Sequence, residues 1–236
     1  MRLEDQRIVV VGASSGMGLG VCKTAAAEGA EVIMVSRSED KLKTAQESVD
    51  GQTRILPVDA SDVDALRKVF NGLGQFDHLV VTADAGTVTV PFVDVTRQQA
   101  EHSFLKFWIA FHSAQAAADH LREDGSITLF AGVAGLRPMR NGAALMSPVN
   151  GAVISLGKTL ARELAPIRVN VVAPGSVDTG RWDAATVKGV ANWAQESLPV
   201  PRAGTPADIA DSVLFLLTNP YTTGIVLFVD GGLMLS

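Results

Sequence analysis

Seven short runs rich in β-branched residues recur along the chain, each followed by a segment of helical periodicity, and this alternation restricts the fold more than any other feature. The runs are Arg7–Val11, Glu31–Val35, Thr53–Val58, His78–Val81, Ser126–Phe130, Arg168–Val172 and Ile225–Val229. Strands that are apolar almost throughout are buried on both faces, which implies a parallel sheet, and right-handed crossovers then place helices on each side of it. Helices are expected over Met17–Glu28, Ser38–Val49, Val63–Leu73, Arg97–Leu121, Met146–Leu164 and Pro206–Leu217, with Gly29, Gly51 and Gly125 as stops at or just beyond helix ends. The predicted fold class is α/β, a doubly wound seven-stranded parallel sheet in a single domain over residues 1–236. One segment breaks the rhythm. Asp178–Gly204 carries Trp182 and Trp193 among polar residues and reads as a mobile excursion over one end of the sheet, either a lid on the substrate side or ordinary surface packing.

Composition narrows the function classes. A chain of 236 residues, 47% hydrophobic and 19% charged, buries a sizeable core. Its formal net charge of −5 supplies no basic footprint, so nucleic acid and anionic membrane are poor partners and a small-molecule substrate is expected. The single cysteine, Cys22, falls in a predicted helix and reads as a buried apolar side chain, which suits a reducing compartment. The N-terminal residues carry acids and run straight into a strand, without the apolar region of a signal peptide. Apolar runs stop short of the roughly 20 residues that span a bilayer. A cytoplasmic location is the expectation.

The first strand leads into Gly12-Ala-Ser14-Ser15-Gly16-Met17-Gly18, which opens directly into a helix. Such spacing sets bare backbone against a pyrophosphate at the positive end of a helix. A glycine-rich turn alone is weak evidence, but strand before, helix after and a second strand about 20 residues on make it strong. The second strand ends Val35-Ser36-Arg37-Ser38, with no Asp or Glu where an enzyme selective for the unphosphorylated dinucleotide holds the ribose hydroxyls. Arg37 can instead pair with a 2′-phosphate through its planar fork, helped by Ser15, Ser36 and Ser38, so NADP(H) is preferred over NAD(H). The plainer alternative is an exposed arginine at a helix start.

With these motifs in place the chain resembles the short-chain dehydrogenase/reductase family over nearly its whole length. The resemblance rests on Val11–Gly18, on Val58-Asp59-Ala60-Ser-Asp62, on Gly151–Ala165, on Ile167-Arg-Val-Asn-Val-Val-Ala-Pro-Gly175 and on Val229-Asp-Gly-Gly232. It implies that Asp59 and Ala60 flank the adenine, that Ala83 lies along the cofactor, and that Pro174, Gly175, Ser176 and Val177 with Thr179 border the nicotinamide. It also implies a homo-oligomer, a tetramer or dimer, assembled through the long helices and the C-terminal strand.

The reaction centre departs from that family. The serine after the fifth strand maps to Gly132, the proton-donating tyrosine to Met146, and the lysine of the Tyr-x-x-x-Lys motif to Asn150, which can hydrogen-bond a ribose but carries no charge. The helix asparagine maps to Lys106, and the usual Asn-Asn-Ala-Gly turn reads Val81-Thr82-Ala83-Asp84, or with shifted register ends in Ala85-Gly86. The only tyrosine, Tyr221, lies near the C-terminus. Met146 and Asn150, four apart, share a helix face and are expected to look into the pocket.

Lys106 is the most informative replacement, because an ammonium in a partly desolvated cleft can act as acid, base or electrostatic clamp. Asp84 is its candidate ion-pair partner or a base in its own right. The alternative is that Lys106 merely fills space and touches cofactor or backbone. Arg137, Arg140 and Asn141 could meet an acidic substrate group. His78, His102, His112 and His120 lack metal-ligand spacing, so no metal is expected, and Ser147 has no histidine base positioned by motif. Three functions stay open: an NADP(H)-dependent oxidoreductase acting on a carbonyl or alcohol, a non-redox isomerase, lyase or cyclase on the same scaffold, and a non-catalytic dinucleotide sensor or subunit.

Overall fold

The computed structural model describes residues 1–86, 88–138 and 143–236. Seven strands, β1 (Arg7–Val11), β2 (Glu31–Ser36), β3 (Thr53–Pro57), β4 (Phe76–Val81), β5 (Leu121–Phe130), β6 (Arg168–Pro174) and β7 (Val226–Val229), pair in parallel in the order β3-β2-β1-β4-β5-β6-β7. Between them run α1 (Gly16–Ala27), α2 (Glu39–Gln46), α3 (Val63–Leu73), α4 (Arg97–Ala117), α5 (Met146–Glu163), α6 (Ala184–Ser197) and α7 (Pro206–Thr218). The predicted doubly wound sheet is what forms.

Alternation along the strands divides the interior in two. Val9 and Val11 face a core with Leu66 and Phe70 of α3, Ala110 and Ala114 of α4 and Val153 of α5. Ile8 and Val10 face the opposite core with Val21 and Cys22 of α1, Leu42 of α2 and Ile209 and Val213 of α7. Burial pushes the Cys22 thiol up, so it stays protonated and inert.

Several motif residues act in the fold rather than at a site. Buried Arg168 donates to the carbonyls of Leu216 and Leu217 at 2.6 and 2.9 Å, satisfying the end of α7. Asn170 donates to the Thr222 carbonyl at 2.8 Å and accepts from the Ile225 amide at 3.2 Å, which sets the entry to β7. Asp230 accepts from the amides of Gly232 and Met234. Its backbone packs so closely on Gly175 that a Cβ there would stand 2.8 Å from the Asp230 Cα.

Two expectations are corrected. Gly125 is no helix stop but lies inside β5, where a Cβ would stand 2.3 Å from the Asp77 carbonyl oxygen on β4. Asp178–Gly204, for which no helix was expected, holds α6 in its middle. Asp183 starts that helix by accepting from the Thr186 amide at 2.7 Å.

Candidate dinucleotide site

The strand order reverses between β1 and β4, and the crevice at the carboxyl ends of these two strands is where ligands of doubly wound sheets bind. A cavity of about 380 Å³ opens there. Its floor is the glycine-rich turn, with Gly12, Ser14, Ser15, Gly16, Met17 and Gly18. Gly12 has φ +95°, and a Cβ on it would stand 2.6 Å from the Ala83 nitrogen. At Gly18 a Cβ would stand 2.2 Å from the Gly12 carbonyl oxygen and 2.5 Å from Thr82 Oγ1, so only glycine lets α1 start this close to the strand ends.

One end of the cavity is lined by Ser36, Arg37, Ser38 and Lys41, and its flank by Asp59, Ala60 and Ser61. The Ser14 and Ser36 hydroxyls lie 3.0 Å apart and tie the turn to the end of β2. Partial burial works against the Asp59 carboxylate, but hydrogen bonds from Ser61 and the charge of Arg37 together hold it below the usual range. The other end is lined by Thr82, Ala83, Asp84 and Ala85, with Leu105 and Ile109 of α4 behind them. Thr82 and Ala83 donate their amides to the Val11 carbonyl, which settles the register of this turn against β1. Thr179 and Arg181 complete the lining beside the turn, Thr179 near Gly16 and Arg181 on the Ser15 hydroxyl.

The structure brings Lys106, Asn150, Met146 and Gly132, which the sequence placed at the expected reaction centre, together behind this cavity. Lys106 Nζ donates to Asn150 Oδ1 at 2.9 Å and to the Ala131 carbonyl at 3.3 Å, and lies 3.7 Å from Asp84 Oδ2. Asn150 donates to the Met146 carbonyl at 2.8 Å. Gly132 packs on the same amide, where a Cβ would stand 3.4 Å from Asn150 Oδ1. The Lys106 side chain is 11% exposed and that of Asp84 39%, so the carboxylate faces the cavity and the ammonium stands behind it. Burial pushes the Lys106 ammonium below the usual lysine range, and the charge of Asp84 opposes that shift.

Not every predicted residue lines the cavity. Asn150 is only 4% exposed, held by Lys106 and Met146. Neither it nor Met146 lines the cavity, contrary to the expected pocket-facing pair, and Pro174, Gly175, Ser176 and Val177 lie outside the lining as well. Arg137 donates to the backbone oxygen of Ser236 instead of standing free. Arg140 and Asn141 lie outside the described residues. His78, His102 and His120 are each hydrogen-bonded within the fold, and His112 stacks on Trp108. Among the described residues there is no group of three side chains placed to hold a metal ion, and no helix is long and apolar enough to cross a membrane. Among the polar lining residues, Lys41, Ser61, Thr82 and Arg181 had no role assigned from the sequence, nor did the apolar Leu105 and Ile109. Lys41 had a signal, since it sits in the first turn of a helix whose cap, Ser38, was already assigned to the site.

Residues 12–234 match the family model described as enoyl-(acyl carrier protein) reductase. The short-chain dehydrogenase/reductase ucsE of Acremonium sp is 31% identical over 262 residues, covering 100% of this chain and 97% of that protein. L-xylulose reductase of Bos taurus is 32% identical over 243 residues, covering 99% and 98%. Among solved structures, a small-chain dehydrogenase in complex with NADPH superposes with a TM-score of 0.84 at 32% identity, covering 99% of this chain and 100% of that one. Motifs, sheet order and relatives converge: the chain belongs to the short-chain dehydrogenase/reductase family.

Proposed function

We propose that this protein is an NADP(H)-dependent oxidoreductase acting on a carbonyl or alcohol of a small organic substrate, with an atypical reaction centre. The observation that carries the reading is one continuous cavity that runs from two cations, Arg37 and Lys41, across the bare glycine turn to Asp84, with Lys106 behind it. The residues fit the dinucleotide: Gly12 and Gly18 leave open what a Cβ would fill, and the cations with Ser36 and Ser38 suit a 2′-phosphate. When bound, the nicotinamide supplies the hydride. NADPH in a solved relative and the sugar reductase among the sequence relatives support the same assignment.

The protein's own part is positioning and charge. Gly132 and Met146 provide no hydroxyl, so an acid must come from elsewhere. Lys106, acting through Asp84 at the cavity wall, is the proposed source of positive charge and of the proton that a reduced carbonyl oxygen needs. Asn150 orients that ammonium and is in turn fixed by the Met146 carbonyl. The segment 178–204, with α6 standing almost wholly in solvent, is proposed as the substrate-side lid.

The same reading makes the protein a cytoplasmic homo-oligomer, a dimer or tetramer. Trp108, 46% exposed, forms with Phe107, Phe111 and His112 an aromatic stripe on α4 that a second copy would cover. Light scattering on wild type and Trp108→Glu tests it, and a monomeric wild type overturns it.

The activity is tested by following the absorbance of NADPH with a panel of ketones, sugars and enones. Substrate-dependent loss of NADPH is expected. Product without net NADPH change would instead establish a non-redox isomerase or lyase, and saturable NADPH binding without any product would establish a sensor.

A further inference from the structure

We propose that Arg181 binds the diphosphate of the dinucleotide beside the glycine-rich turn. The inference rests on the assignment of that turn to a dinucleotide and adds a ligand residue that no motif assigns.

Arg181 Nη2 donates to Ser15 Oγ at 2.9 Å, across 166 positions of sequence. Ser15 stands at the N-cap of α1, yet its side chain makes no capping hydrogen bond to the helix. The amides of the first turn of α1 therefore lack a capping side chain, and the turn holds no acidic residue. A guanidinium directed at the positive end of a helix is unfavourable until an anion joins it. None of the ion pairs among the described residues includes Arg181. Two positive features thus meet at the turn, with Arg181 in none of those ion pairs and the acids of the cavity, Asp59 and Asp84, on its flank and at its other end, and a diphosphate carries the charge that both lack.

Position separates this site from the ribose end. Arg37 and Lys41 line the cavity beyond β2, whereas Arg181 touches the turn itself. Its neighbour Thr179 approaches the same place, since a Cβ on Gly16 would stand 3.2 Å from the Thr179 Cβ. The segment carrying Arg181 is anchored and jointed. Asp178 donates its amide to the Gly204 carbonyl at 2.9 Å, and Gly204 donates to the Ser176 carbonyl at 2.9 Å. Gly180 has φ +76°, with nothing within 4 Å of where a Cβ would stand. A cation next to such a joint can exchange the neutral Ser15 hydroxyl for a charged acceptor without disturbing the anchors, and the charged hydrogen bond is the stronger one.

Calorimetric titration of the full chain with NADPH and with NADH, in wild type, Arg181→Ala, Arg181→Lys and Arg37→Ala, tests the proposal. Both dinucleotides share the diphosphate, so Arg181→Ala is expected to weaken both by the same factor, about tenfold. Arg181→Lys should recover part of the loss, and Arg37→Ala should weaken NADPH alone. Added salt should weaken binding to wild type more than binding to Arg181→Ala. Arg181 is exposed, so unchanged melting temperatures are expected and exclude unfolding as the cause. Undiminished binding in Arg181→Ala, or a loss confined to NADPH, would overturn the diphosphate role while leaving the dinucleotide assignment intact. A wild type that binds neither coenzyme would overturn the assignment itself.

Discussion

Replacing Lys106 by methionine separates chemistry from stability, because the structure sets two opposing terms of similar size at this position. Methionine fills much of the space of the lysine stem but removes the ammonium, so Asn150 Oδ1 and the Ala131 carbonyl each lose a donor. Each unmet acceptor costs about 1–3 kcal/mol. Against that, a buried ammonium carries a desolvation penalty of several kcal/mol, which the substitution relieves. The net change in stability is expected to stay within about 2 kcal/mol, a shift of less than about 8 °C in melting temperature for a chain of this size. Reductase activity, by contrast, should fall by about 10²–10⁴-fold, the usual contribution of a positioned acid. Burial lowers the folded-state pKa of Lys106 below the ordinary 10.5, so the unfolded chain holds more protons between those two values. Wild-type stability contributed by this group therefore rises as pH climbs through that window, and the methionine variant should lack that rise. Steady-state kinetics and thermal melts on the same preparations measure both effects. Full turnover in Lys106→Met, or an activity loss matched by collapse of the melting temperature, would refute the assignment.

Acid stability should report on His78. Its ring lies 2.8 Å from Ser126 Oγ at Nδ1 and 2.8 Å from Gln6 Oε1 at Nε2, an arrangement that a neutral ring satisfies by donating to Gln6 and accepting from Ser126. Burial, aided by the charge of Arg168 and opposed by Asp124, pushes its pKa down from 6.5 to about 3. Between those values the unfolded chain takes up a proton that the folded chain refuses, so stability is complete above 6.5 and falls with acid. The loss should reach about 2 kcal/mol at pH 5, and denaturant titrations of His78→Gln should show a flatter acid limb. Gly18→Ala should destabilise by about 1–3 kcal/mol or more, since the new methyl meets the Gly12 carbonyl and Thr82, and NADPH binding should fall with it. Wild-type stability in that variant would show that α1 tolerates a wider approach.

The sheet was legible in the sequence because its strands are buried on both faces and read as continuous β-branched runs. The start of β5 was not. Leu121 pairs with Phe76 beyond an irregularity in the β4 pairing, and Arg122, Glu123 and Asp124 are exposed, so the segment carries no strand pattern. Gly125 then looked like a helix stop although its smallness serves the approach of Asp77. Helix α6 escaped for the opposite reason: only Ala194 is buried along it, which leaves no apolar stripe to detect.

At the site, the glycine turn and the end of β2 could be read because consecutive residues share one local geometry. The pairing of Lys106 with Asp84 could be suspected from aligned positions, but the hydrogen bond from Lys106 to Asn150 depends on how α4 packs beside α5 and the β4 turn. Arg181 was invisible for a simpler reason. Its partner Ser15 lies at the far end of the chain, and no local pattern links the two.

The central claim is that the nucleotide cradle is intact and selects the phosphorylated coenzyme. Fluorescence titration of wild type and Arg37→Ala with NADPH and NADH tests it most directly. The account predicts tighter binding of NADPH than NADH by wild type and near-equal affinities in Arg37→Ala, since the proposed partner of the guanidinium is the 2′-phosphate that NADH lacks. Equal affinity of wild type for both coenzymes, or binding of neither, would contradict it.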